Sequence, residues 1–313
     1  MPEAAAREGL RHVVFFYQGH AHYREAIAAF VRAGLARKEP VLLAVPQPRS
    51  ALPDWPSGGS ALLTVTDIAD LGRNPARLIS ALHSFAGGHL GRRARIITES
   101  VWPGRTPAEI CEAARTDALV DRALEGLPAT LMCPYSAAGL PEAALADAAR
   151  AHQWQLDPAP DEVVRSPGYS PTDLVPAACR LPLAEPPPGA LTVRYRTDLR
   201  PVRAMVSAAC GQAGLSVMRA TDMTMAVSEL AANTLRHTRA DGTAHTWQAD
   251  GELLCQVADS GFISDPLAGI LQPRPDQLGG QGLWLVNQLC DLVEVRTDEG
   301  GTVIRLHMRV DNR

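Results

Sequence analysis

Between His12 and His152 short apolar runs alternate strictly with helix-patterned segments, and this alternation leaves few ways to fold. HVVFFY (12–17), VLLAV (41–45), ALLTV (61–65), ARIIT (94–98) and ATLMC (129–133) read as buried strands. Helical patterns run from His22 to Arg37, from Asp67 to Gly88 with a break near Gly72 and Pro75, from Pro107 to Glu125, and from Pro141 to His152. Pro46 to Gly59, rich in proline and glycine, reads as a loop. Parallel strands need long crossovers, and helical crossovers cover both faces of the sheet. The expectation for this half is therefore a parallel α/β/α sheet.

Ligands of such sheets bind beyond the carboxyl ends of the strands. Tyr17, His20, Glu99, Ser100, Trp102, Cys133, Pro134 and Tyr135 fall there. Of these, Tyr17, Glu99, Trp102, Cys133 and Tyr135 are candidates for one sensory pocket. The structural alternative is that the aromatics cap the core and Glu99 makes an internal ion pair. GGHLGRR (87–93) lacks the spacing of a phosphate loop. His12, His20, His22, Cys133 and His152 have metal-competent side chains, but their spacing is no metal signature.

The pattern stops at Asp157. From there to Gly189 the chain holds nine prolines, ending in EPPPG, as expected of a semi-rigid connector. Leu174, Val175, Leu181 and Leu183 are available to dock it. Two domains suit 313 residues. The expected division is 1–156, a connector over 157–190, and a second domain over 191–313.

The second domain opens with the alternating strand LTVRYR (191–196), and Thr197 or Asp198 is placed to cap a helix ending near Ala213 and Gly214. A longer helical pattern begins near Val217 and contains VSELAANTLRHT (227–238). Glu229, Asn233 and His237 recur every fourth residue and share a face, while Met223, Val227 and Leu230 point elsewhere. A carboxylate one turn from an amide oxygen suits proton transfer and a hard cation such as Mg²⁺. The same residues would also serve as a solvated polar stripe. HTWQA, Asp250-Gly251 and ELLCQVAD read as a hairpin. Its second strand exposes Asp259 beside Ser260 and Gly261, a carboxylate able to accept from an exocyclic amine. Ser260 to Leu278, with three prolines, reads as a lid. GGQGLWLV (279–286) takes a glycine-rich loop into an apolar helix, where backbone N–H groups can approach phosphate. LVEVRT, DEGG and TVIRLHMRV form a second hairpin pattern. A mixed sheet with helices on one face is expected.

The order ELAAN, DSGF, GGQGLWLV, GGT (300–302) resembles the GHKL ATPase superfamily over roughly 191–310, best the branch of anti-sigma-factor serine/threonine kinases of actinobacterial type. That resemblance implies a Bergerat-type α/β two-layer sandwich binding ATP and Mg²⁺. It implies Glu229 as general base, Asn233 as Mg²⁺ ligand and Asp259 as adenine reader. Gly261, Gly280 and Gly282 would be the close-approach glycines, with Thr302 supporting the base and His237 and Leu283 also among the cofactor-binding residues. Many members carry another glycine soon after the DSG turn, where this chain has Phe262, Ile263 and Ser264. The first half, through HVVFFY, AFVRAGLARKEPVLLAV, TESVWP and LMCPYSAAGL, resembles a MEDS sensory domain, a RecA-like module, over roughly 10–155. This implies an unnamed small-molecule or signal ligand.

Together the resemblances imply a signal-responsive anti-sigma factor, partnered by a sigma factor and a STAS-type antagonist whose serine or threonine it phosphorylates, with homodimerisation. A net charge of −4 offers no footprint for nucleic acid. MPEAAAREGLRH is no signal peptide and no apolar run suits a membrane, so a cytoplasmic location is expected. The six cysteines include no CxxC pair. Two other functions share the motifs. A sensor histidine kinase needs a helical hairpin bearing a histidine before the ATPase domain, and the proline-rich stretch cannot make one. A non-catalytic nucleotide- or protein-binding switch needs only the fold.

Overall fold

The apolar runs of the first half do become strands of one sheet, as seen in a computed structural model that describes residues 9–47, 61–156, 163–170, 176–238, 240–273 and 280–310. The chain divides into two units, Met1–Pro176 and Ala177–Arg313. In the first, β1 (Arg11–Tyr17), β2 (Val41–Val45), β3 (Leu63–Asp67), β4 (Ala94–Thr98), β5 (Ala129–Ser136), β6 (Trp154–Leu156) and β7 (Val163–Arg165) form a seven-stranded sheet. Its order is β3-β2-β4-β5-β1-β6-β7. All pairings are parallel except β6 with β7. That antiparallel edge strand comes from the proline-rich stretch.

Helices α1 (Gly19–Ala36), α2 (Pro75–Gly87), α3 (Pro107–Ala123) and α4 (Glu142–Ala151) cover the sheet. β2 and β5 are buried along their whole length, as central strands covered on both faces must be. β3, an edge strand, is half-open. Val13, Phe15, Leu43, Ile97 and Met132 pack with Tyr23, Ile27 and Val31 of α1 on one face. The opposite face of β1 and β5 presents His12, Cys133 and Tyr135, and these meet α3 through Asp117 and Asp121. Pro107 sits in the first turn of α3, and Thr106 and Glu109 complete a reciprocal capping box at 3.2 and 2.8 Å. β5 runs on through Pro134, longer than its apolar run. β4 pairs with it only as far as Met132, so the missing N–H leaves no ladder acceptor unmet on that side.

The second unit contains β8 (Leu191–Tyr195), α5 (Arg200–Ala213), α6 (Val217–His237), β9 (Gly242–Ala249), β10 (Glu252–Asp259), α7 (Gln281–Leu289), β11 (Leu292–Asp298) and β12 (Gly301–Arg309). The sheet order is β11-β12-β10-β9-β8, antiparallel throughout, which corrects the expected mixed sheet. Both hairpins pair locally, and β12 returns beside β10. Asp250 (φ 50°) and Gly251 (φ 76°) form the tight turn that DG predicts. Neither Thr197 nor Asp198 is the cap of α5: Leu199 holds that position, and Asp198 instead accepts from the Arg200 N–H at 2.9 Å. Gly214, at φ 78°, ends the helix.

One layer of helices lies on one face of this sheet. Val202, Val206, Met223, Val227, Leu230 and Val286 pack there against Leu253, Cys255, Val257, Ile304 and Leu306. On the other face two arginines hold the connector through its backbone carbonyls, and Leu183 is half-buried. Arg296 Nε donates to the Leu181 carbonyl at 3.1 Å, Arg305 donates to the Ala184 carbonyl, and the Leu181 side chain stays exposed. Leu174 and Val175 lie outside the described residues. Among the described residues no helix is long and apolar enough to cross a membrane.

Candidate functional site

Burial of Met223, Val227 and Leu230 turns Glu229 and Asn233 to a half-buried edge of α6. The start of α7 meets them there. Gly280 caps α7 in the left-handed region at φ 81°. A Cβ added to Gly282 would lie 3.1 Å from Glu229 Oε2 and 3.2 Å from Asn233 Nδ2. Glycine lets the backbone approach both side chains. Asn233 Oδ1 accepts from Arg236 at 2.8 Å. His237 is exposed at the end of the helix. Two 3.6-residue turns fall short of eight residues, so it has rotated about 80° from Glu229.

Asp259 closes β10 in a cradle of donors. Thr234 Oγ1 donates to its Oδ2 at 2.5 Å and the Gly261 N–H to its Oδ1 at 2.7 Å. Tyr195 Oη, 3.0 Å from Thr234 Oγ1, extends the chain, and burial pushes this phenol up to about 12 against the opposing Thr234 bond, so it stays a donor. Thr302 Oγ1 donates to the Gly261 carbonyl and lies 2.8 Å from Thr297 Oγ1, which itself accepts from the Ile263 N–H. Gly301, at φ 134°, passes so close that an added Cβ would lie 2.2 Å from the Asp259 carbonyl. Each Asp259 oxygen keeps lone-pair capacity for a further donor.

The described part of the lid is anchored to α7. A Cβ on Gly269 (φ 75°) would lie 2.5 Å from Leu283 Cγ, and Asn287 Nδ2 donates to the Gly269 carbonyl at 2.9 Å. Leu283 thus packs on the lid and the core. Phe262 is 64% exposed, so it contributes no core packing to the turn. Residues 274–279, including Gly279, lie outside the described residues.

Sequence reasoning missed Thr234, Tyr195, Arg236 and Gly301. Thr234 follows Asn233 directly, but only its contact with Asp259 across the sheet marks it. Tyr195 reaches it only because β8 pairs with β9, placing Tyr195 opposite Gly242, where an added Cβ would lie 2.3 Å from the Tyr195 hydroxyl.

In the first unit the five candidate pocket residues separate into smaller groups. Tyr17 and Tyr23 donate to the two Glu99 oxygens, each at 2.9 Å, so the expected ion pair is replaced by two phenols. Burial raises Glu99 to about 6 against these two bonds, and burial followed by the Glu99 charge raises both phenols. Trp102 lies under the Arg105 guanidinium at 3.5 Å. Tyr135 donates to buried Asp117, which also takes the Ser100 hydroxyl at 2.9 Å. Cys133 Sγ lies 3.5 Å from His12 Nε2. Burial raises the Cys133 thiol, as do the charges of Asp117 and Asp121; burial and His12 lower His152, leaving it a neutral imidazole.

The fold and these two groups of residues define a two-unit α/β protein: a parallel-sheet module joined to a two-layer module with a carboxylate cradle and a glycine-opened helix start. Residues 11–153 match the family MEDS (MEthanogen/methylotroph, DcmR Sensory domain), and residues 193–308 match the histidine kinase-like ATPase domain. The chain therefore carries a MEDS domain followed by a histidine kinase-like ATPase domain of GHKL type. Among solved structures it is similar to the RsbU and RsbW domains of Rv1364c from Mycobacterium tuberculosis, with 21% identity and a TM-score of 0.30. That likeness covers 40% of this chain and 32% of the other. No curated protein matches the chain.

Proposed function

We propose that the second unit binds Mg·ATP, sequesters a sigma factor and phosphorylates a serine or threonine of a STAS-type antagonist, and that the MEDS unit tunes this in response to a signal. The Asp259 cradle carries the nucleotide part of the reading. Its oxygens are oriented by Thr234 and Gly261 yet keep acceptor capacity, which fits an exocyclic amine. Gly282 leaves open the space that a Cβ would fill against Glu229 and Asn233, and those side chains offer the hard oxygens a magnesium ion takes alongside water and phosphate. When bound, Mg·ATP supplies an electrophilic phosphoryl group. Glu229 takes the proton of the acceptor hydroxyl, and Asn233 holds the cation. The partner classes rest on the resemblance of the four motifs.

Calorimetric titration of the full chain with Mg·ATP tests the nucleotide site. Wild type is expected to bind, and Asp259→Asn to weaken binding at least tenfold, about 1.4 kcal/mol. Equal binding by both proteins removes Asp259 from the site. Binding by neither removes the nucleotide reading.

One observation favours a second reading, a non-catalytic switch. Arg236 donates to the Asn233 oxygen that a cation would need and places its own positive charge beside that oxygen. Partner affinity unchanged by nucleotide, with no phosphate transferred, would select that reading.

A further inference from the structure

On one buried face of the first sheet, His12, Cys133 and His152 come together, with one ring nitrogen of each histidine and the Cys133 Sγ all within 4.8 Å of one another. The three residues are far apart in sequence, so no spacing motif announces them. β1 and β5 pair in register with Val14 opposite Cys133, which puts His12 and Cys133 on the same face two residues apart. His152 follows α4 directly and precedes β6, which pairs with the other side of β1. Thus three neighbouring elements each bring one side chain to a common point.

The environment selects the ligand atoms. His152 Nδ1 lies 2.7 Å from the Ala148 carbonyl, and that bond requires the proton on Nδ1. Its Nε2 is then a lone-pair acceptor, fully buried and without a hydrogen-bond partner. His12 Nδ1 lies 3.2 Å from Asp121 Oδ1, an ion-pair distance that is not aligned as a hydrogen bond. Its Nε2 faces Cys133 Sγ at 3.5 Å. Metal-bound histidines commonly have the outer nitrogen held by a carboxylate or a backbone carbonyl and the inner one left for the ion; His152 is held in this way, and His12 has the Asp121 carboxylate beside its outer nitrogen. The spacing fits as well. Zn–S of about 2.3 Å and Zn–N of about 2.0–2.1 Å in a tetrahedron place sulfur and nitrogen about 3.5 Å apart.

We propose that His12, Cys133 and His152 form a buried site for a borderline-soft transition-metal ion, of which zinc is the type, within the MEDS unit. The thiol proton leaves as the metal–sulfur bond forms, and the thiolate with nearby Asp121 offsets the charge of a divalent cation. Among the described residues no fourth histidine, cysteine or carboxylate joins the group. Water or an exogenous ligand takes the remaining position, the arrangement of a zinc site open to exchange. The ion ties β1, β5 and the α4–β6 junction together, so a change at the open position would be felt across the centre of the sheet.

The test uses the full chain, without an affinity tag, stripped with chelator in denaturant and refolded with or without Zn²⁺ or Co²⁺. The expected results are about one metal per chain, proton release on binding, and a cobalt–thiolate charge-transfer band with tetrahedral visible bands. Cys133→Ser should abolish the band, His152→Gln should weaken it, and Asp121→Asn should lower zinc affinity about 10–100-fold. His20→Gln, at an exposed histidine, should leave the spectrum unchanged. Copper found in the protein as isolated would support the site and change only the ion. A Cys133 thiol that merely hydrogen-bonds His12 gives no cobalt–thiolate band and retains no metal in wild type; that result overturns the proposal. So does a folded Cys133→Ser variant with an unchanged cobalt spectrum. Where a variant fails to fold, the wild-type spectrum and metal content decide. These outcomes do not depend on ATP binding by the other unit.

Discussion

Glu229 is half-buried beside Gly282, within reach of whatever approaches the start of α7. In the general-base role proposed for it, Glu229 would be worth about 10²–10⁴-fold in rate. Glu229→Gln keeps the shape and a hydrogen-bonding group but cannot take a proton. On the proposed reading, phosphate transfer to an antagonist should fall by that factor while calorimetry shows ATP binding unchanged; transfer at the wild-type rate would remove Glu229 from the base role. Gly301 serves the neighbouring Asp259 by having no side chain. At φ 134°, with an added Cβ 2.2 Å from the Asp259 carbonyl, Gly301→Ala should cost at least about 1–3 kcal/mol in backbone strain, read by denaturant unfolding. Glu229, Asn233 and Asp259 were legible because their residue types and order carry the chemistry. Thr234, Tyr195 and Gly301 were not, because their importance lies in which side chain or carbonyl they touch across the sheet. His237 illustrates the limit of counting by fours: two steps along a helix rotate it away from the edge that Glu229 occupies.

The outer face of the second sheet carries a buried titratable group among its elements. His307 on β12 lies 2.9 Å from Glu252 on β10 and 2.8 Å from Glu294 on β11. Burial opposes its charge, but the bonds to the two carboxylates outweigh burial and raise it to about 9. A histidine raised above its unfolded value, about 6.5, contributes its full stabilisation below that pH and loses it as pH rises through the folded value. Stability of this unit should therefore decline between about pH 6.5 and 9, and His307→Gln should flatten that decline in urea titrations at the two ends. A decline of the same size in the variant would show that other groups set it. The two hairpins here were readable from their turn residues, DG above all. The antiparallel return of β12 beside β10 was not, since strand order depends on which edges are free when the hairpins meet. Nor was the cap of α5 readable from residue type, because Asp198 accepts from the first helical N–H while sitting one residue outside the cap.

Each unit of the whole molecule has its own hydrophobic core. We propose the boundary near residue 190, so that a 190–313 fragment folds and keeps Mg·ATP affinity within about threefold of the full chain, under 1 kcal/mol. A fragment 177–313 should be the more stable of the two, by up to about 0.5–1.5 kcal/mol for each carbonyl bond that Leu181 and Ala184 supply to Arg296 and Arg305. Equal stability would mean those surface bonds are offset by water. An insoluble 190–313 fragment would move the boundary toward Ala177. By itself the sequence determined the parallel sheet of the first unit and the hairpins and motif-bearing helices of the second. Apolar periodicity and turn residues act between near neighbours along the chain, and those interactions are written locally. Only the tertiary structure decided that His12, Cys133 and His152 share a point, that Tyr195 and Thr234 brace Asp259, and that the connector is held by arginines. Such groupings join residues distant in sequence through strand register and helix packing, and nothing in their local composition marks them.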